Sequence, residues 1–131
     1  MTSKYKFGKK SIRLLADVHP DLARVAYRAL SLGVMDFTVT TGKRTLEEQA
    51  RLYAQGRTQP GPKVTWTMKS NHITGHAIDI APWPIDWDNE TQFAVLAGVM
   101  KVAAKLENVE LEWGYDLWGK DLPHYQMKDK K

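Results

Sequence analysis

Apolar residues in this 131-residue chain never run long, because Gly and Pro cut them into short segments whose spacing alternates between helical and strand periods. That punctuation is the strongest constraint on the fold. A helical segment must bury a stripe and a strand one face, so both kinds have to share a core. Residues 11–32 repeat apolar side chains at helical spacing, with a break at His19-Pro20-Asp21 and a stop at Gly33. Residues 36–41 are rich in β-branched side chains and end at Gly42, as expected of a strand feeding a turn.

Further along, Thr45 followed by Glu48 has the form of a capping box. It opens a helix that carries Leu46, Ala50, Tyr53 and Ala54 as its apolar stripe and ends near Gly56. Residues 57–69 hold Pro60, Gly61 and Pro62 in a polar setting and read as a long surface loop. Residues 76–81 read as a strand ended by Pro82. Residues 89–106 form the last helix, capped by Asp88 or Asn89, with Phe93, Leu96, Ala97, Met100, Val102, Ala103, Ala104 and Leu106 on its buried side. Residues 111–115 and 124–127 look like two short strands around a loop. The expected class is therefore α+β, with packed helices on a small antiparallel sheet, in one domain over residues 1–131.

Composition narrows the chemistry. Charged residues make up 26% of the chain, an ordinary globular balance. There is no cysteine, so a thiolate nucleophile, a disulfide framework and a Cys-type zinc site are excluded, and any metal must be held by His and carboxylates. No apolar run has signal-peptide or bilayer-spanning length, so the expectation is a protein made in the cytoplasm without membrane insertion. The net charge of +4 would suit polyanions, but much of the excess lies in Lys4, Lys6, Lys9 and Lys10 and in Lys128, Lys130 and Lys131, where solvated tails are the commoner explanation. Of the five tryptophans, most are assigned to the core. One or two of those in the 57–69 and 82–88 loops, which hold Trp66, Trp83 and Trp87, are candidates to flank a substrate groove.

The densest polar cluster runs from Ser70 through His72, Gly75 and His76 to Asp79. In a strand, His76, Ile78 and Ile80 face one way and Ala77 and Asp79 the other, so Asp79 projects from an apolar strand and needs a partner. An ion pair with Lys or Arg would satisfy it as well as a metal. His72 and His76 have the spacing of a helical zinc motif, but Ile73 stands where that motif has Glu, and Gly75 before a β-branched run opposes a helix. His76, on the face away from Asp79, is the one to exclude. Far downstream, Asp121 precedes His124 by three residues. Two histidines and a carboxylate form a known catalytic zinc set, and the remaining carboxylate would be free to accept a proton.

Ser70-x-His72-x-x-Gly75-x-Ala77-x-Asp79, with Trp113-Gly114-x-Asp116 and Asp121-x-x-His124 downstream, resembles the D-alanyl-D-alanine peptidase group, and especially phage endolysins that are L-alanyl-D-glutamate peptidases. The likeness extends upstream through residues 42–49 and 52–58, and so covers roughly residues 37 to 127. It implies a hedgehog/D-Ala-D-Ala peptidase-like fold, a Zn2+ ion held by His72, Asp79 and His124, Asp121 as general base, and Arg44 stabilising the substrate carbonyl or oxyanion. Many relatives in the wider group carry Glu at the base position, and Asp is one methylene shorter. The implied substrate is the peptidoglycan stem peptide. The implied setting is a monomeric endolysin without a separate wall-binding domain, waiting in the host cytoplasm until a holin lets it reach the wall from the periplasmic side. A D-alanyl-D-alanine carboxypeptidase or dipeptidase is the nearest alternative activity. A small basic nucleic-acid-binding protein is the non-enzymatic one, and it leaves the His and Asp cluster unexplained.

Overall fold

A computed structural model describes residues 4–63, 65 and 70–128. The helices are α1 (Lys9–Ala16), α2 (Pro20–Ser31), α3 (Leu46–Ala54), α4 (Glu90–Leu106) and a short α5 (Gly114–Trp118); the strands are β1 (Phe37–Thr41), β2 (Ala77–Pro82), β3 (Leu111–Trp113) and β4 (His124–Met127). The four strands form one antiparallel sheet in the order β1-β2-β4-β3, so the α+β expectation holds.

Local chemistry accounts for the helix ends. Pro20 sits in the first turn of α2, where its missing N–H costs nothing, and His19 caps that helix by accepting from the Asp21 amide. The Thr45–Glu48 capping box is closed in both directions. The Asn89 side chain accepts from the Gln92 amide at the start of α4.

One face of the sheet carries the core. Ile78 and Ile80 of β2 and Tyr125 of β4 pack with Leu22, Val25, Ala26 and Ala29 of α2 and with Leu96, Met100 and Ala103 of α4, and all of these are almost wholly buried. The opposite face of β2 and β4 carries Asp79, His124 and Gln126 beside the small, buried Ala77 and Ala81. Strand β1 is an edge, and α1 covers it: the buried Ser11 hydroxyl accepts from the Val39 amide at 3.1 Å. The β1–β2 register slips between Val39 and Thr41, a bulge that sets Thr41 opposite Asp79.

Several expectations are corrected. In α4, Val102 and Leu106 are exposed and Val99 is buried instead, because the helix turns its Leu96-Met100-Ala103 face to α2 and the sheet. In α3, Leu46 and Ala50 are exposed and Gln49 is the residue turned inward, so the stripe is polar at its centre. Residues 114–118 are helical rather than the end of a strand. Among the described tryptophans only Trp113 is buried, its indole N–H donating to the Leu122 carbonyl, while Trp83, Trp87 and Trp118 are more than half exposed. Trp66 lies outside the described residues.

Candidate metal centre

Antiparallel pairing places Asp79 of β2 directly beside His124 of β4. A turn brings His72 to the same spot. In that turn the Ser70 hydroxyl accepts from the His72 amide, the His76 amide donates to the Asn71 carbonyl, and Gly75 takes a φ of +79°. A side chain at 75 would be strained by that conformation, and its Cβ would press on the backbone of Asp17 and Val18. The Gly75 carbonyl accepts from the His19 amide, which ties the turn to the start of α2.

His72 Nε2 and His124 Nδ1 each lie 3.2 Å from the same oxygen, Asp79 Oδ1, and both histidines are buried. Their other nitrogens are already committed. His72 Nδ1 is 3.0 Å from the Gly42 carbonyl, and His124 Nε2 is 2.9 Å from Gln126 Oε1. A carbonyl oxygen only accepts, so each of those nitrogens carries the proton when the ring is neutral. Lone pairs of two imidazoles then converge on a carboxylate oxygen, an arrangement that calls for a cation between them, either a shared proton or a metal. The three ligand atoms lie within 4.8 Å of one another, a group able to hold a metal ion. With no sulfur in the set, two imidazoles and one carboxylate match a catalytic zinc site that keeps a position open.

Electrostatics follow from the enclosure. Burial pushes the Asp79 carboxyl up, but hydrogen bonds and charge from His124 and His72 outweigh it and hold the carboxyl well below the usual range. Burial likewise pulls His124 down, and its bonds to Asp79 and Gln126 more than reverse this, leaving its pKa raised.

Asp121 stands at the rim, exposed as a residue, in the loop that leads into β4. Its backbone is left-handed, with φ +72°, and its carbonyl accepts from the His124 amide at 3.2 Å. Desolvation of its carboxyl, and then the charge of Asp79, raise its pKa. Gly114 makes this seating possible, since a Cβ there would lie 2.5 Å from the Asp121 carbonyl oxygen. Arg44 lies in the loop just before the Thr45 cap of α3. Its amide donates to the His72 carbonyl at 2.8 Å, and its guanidinium donates to Gln49 Oε1 at 2.7 Å. His76 stands apart from the cluster, its ring 5.2 Å from that of His19 and its Nδ1 2.7 Å from the Thr74 hydroxyl. Asp116 pairs with Lys101.

Four residues around the centre were given no role in the sequence reading. Gln126 and Glu112 lie behind His124, Gln49 orients Arg44, and exposed Trp118 sets its ring 5.3 Å from that of His124. Period-two spacing from His124 would have pointed to Gln126, and Gln49 stands five residues from Arg44 in the 42–49 stretch, whereas Trp118 is brought in by tertiary packing.

Comparison with known proteins identifies the family and the fold. The model of the family described as phage L-alanyl-D-glutamate peptidase matches residues 3–131. The chain is 39% identical over 115 residues to the L-alanyl-D-glutamate peptidase of Escherichia phage T5, covering 86% of this chain and 81% of that protein. It is 34% identical over 129 residues to the peptidoglycan L-alanyl-D-glutamate endopeptidase CwlK of Bacillus subtilis, covering 86% and 74%. The crystal structure of the L-Ala D-Glu endopeptidase ChiX of Serratia marcescens superposes with a TM-score of 0.81 at 30% identity over 95% of this chain and 92% of that one. The vancomycin-resistance D,D-dipeptidase VanXYg shares the fold, with a TM-score of 0.58 at 19% identity over 84% of this chain and 50% of that one.

Proposed function

We propose, since this chain belongs to the phage L-alanyl-D-glutamate peptidase family and is therefore a peptidase of peptidoglycan, that it hydrolyses the L-alanyl-D-glutamate bond of stem peptides with Zn2+ held by His72, Asp79 and His124. The observation that carries the zinc assignment is the convergence of His72 Nε2 and His124 Nδ1 on one Asp79 oxygen while both outer nitrogens are spent on carbonyl acceptors.

Zinc in such a site supplies Lewis-acid polarisation of the scissile carbonyl and a more acidic water. Asp121 takes the proton of the attacking water and returns it to the leaving amine. Its place at the rim, in the loop that leads into β4 and to His124, supports that role. Arg44, steadied by Gln49, offsets negative charge developing on the carbonyl oxygen. Host lysis as a monomer, with a holin giving access to the wall from the periplasmic side, completes the reading. It rests on membership of the phage family.

The test joins metal analysis to mass spectrometry of muropeptides released from purified peptidoglycan. New N-terminal D-glutamate is expected from the wild type, and removal by a chelator with restoration by Zn2+. Asp121→Asn should keep zinc and lose nearly all activity, whereas His72→Ala should lose the zinc. Release of D-alanine in place of new D-glutamate termini would overturn the bond assignment, and an active Asp121→Asn would remove the base.

A further inference from the structure

The two imidazoles of the centre are held in different ways. His72 leans on a backbone carbonyl, that of Gly42. His124 leans on a side chain, Gln126, which sits two residues further along the same strand and therefore on the same sheet face. Gln126 is in turn the cross-strand partner of Glu112 on β3, and its Nε2 lies 3.3 Å from Glu112 Oε1. An amide has two faces of opposite polarity, and on its own Gln126 could present either to the histidine. A carboxylate only accepts, so Glu112 claims the NH2 end and leaves the carbonyl end for His124. That carbonyl in turn requires N–H at His124 Nε2. A half-turn of the ring would set a carbon against Gln126 and lose the bond.

We propose that Gln126, oriented by Glu112, is a positioning residue that keeps the His124 imidazole with Nε2–H turned away from the centre and the Nδ1 lone pair turned into it. The inference rests on the zinc reading above and deepens it. It makes the ligand atom of His124 a property of the β3–β4 pairing, because Glu112 and Gln126 meet only in that register. A ligating histidine whose outer N–H bonds a carbonyl or carboxylate is fixed in tautomer and orientation, and loss of such a partner typically weakens metal binding by about 10–100-fold.

The experiment measures Zn2+ affinity by competition with a chelator of known affinity, on full-length protein, for wild type, Gln126→Met and the double swap Gln126→Glu/Glu112→Gln. Met keeps the length but offers no carbonyl, and a drop of about 10–100-fold is expected. The swap restores an acceptor at 126 and a donor at 112, so its affinity should return to within a few-fold of wild type. Nitrogen-15 NMR of the zinc-loaded wild type should show the His124 proton on Nε2, a readout that needs no variant to fold. Gln126→Met with unchanged affinity, a swap as weak as Gln126→Met, or a proton on Nδ1 would each overturn the proposal. If the wild type takes up no zinc, the zinc reading fails, which these other results would not imply.

Discussion

Gly114→Ala tests how tightly the rim of the centre is seated. Position 114 joins β3 to α5, and its backbone is not left-handed, so alanine meets no conformational penalty there. The penalty is one of space. The added Cβ would lie 2.5 Å from the Asp121 carbonyl oxygen and 3.1 Å from the Cβ atoms of Asp121 and His124. Optimal heavy-atom contacts are about 3.5 Å, so the 121–124 backbone must retreat by about 0.5–1 Å. That segment carries the proposed base and one proposed ligand together. A misplacement of about 1 Å at a reacting group costs on the order of 10²-fold, near 2.7 kcal/mol of transition-state stabilisation. The variant should therefore fold, with overpacking costing about 1–3 kcal/mol of stability, and lose about 100-fold in kcat/KM on a muropeptide substrate. Gly98→Ala is the matched control. It lies in α4 with nothing within 4 Å of the new methyl, and should leave kcat/KM unchanged while gaining about 0.5–1 kcal/mol in stability. Gly114→Ala with kcat/KM within twofold of wild type would refute the argument that this glycine seats the loop.

Two further outcomes follow from other parts of the fold. The Tyr125 hydroxyl is buried without a hydrogen-bond partner among the described residues, and burial pushes its pKa up, so Tyr125→Phe should raise stability by about 1 kcal/mol in denaturant titration; a clear loss would mean that the hydroxyl is satisfied. Glu107, at the C-terminal cap of α4, accepts from Arg28 and Arg24 of α2, and those hydrogen bonds hold its carboxyl below the usual range. A depressed carboxylate contributes stability that is present above its unfolded pKa, about 4.3, and is lost as pH falls through its folded value. Glu107→Gln should therefore lower the melting temperature at pH 7 and make no difference near pH 2, and an equal loss at both would assign the effect to packing instead.

How much was legible in the sequence depended on how local the cause was. Caps, the break at Pro20, the stop at Gly33 and the strand alternation that sends Asp79 away from Ile78 and Ile80 are set by neighbours within a few residues, and they appear in the structure as read. The centre was half legible. Residues 72–79 lie in one motif, but His124 is brought beside Asp79 only by β2–β4 pairing across 45 residues. Spacing alone left His72 and His76 in competition. In the structure the 70–75 turn carries His72 to Asp79 and sets His76 against His19.

The residue pattern by itself determined the element types apart from α5, most boundaries and the donor chemistry, since no cysteine was on offer and a strand carboxylate needed a partner. Tertiary structure alone decided which face of α3 turns inward, which tryptophans stay out of the core, and which nitrogen of each histidine meets Asp79. For the histidines and for α3 the physical reason is the same. Periodicity states that a side chain lies on a given face, but the atom it presents is chosen by the hydrogen-bond partner on a neighbouring segment: Gly42 for His72, Gln126 with Glu112 for His124, and Arg44 for the buried Gln49.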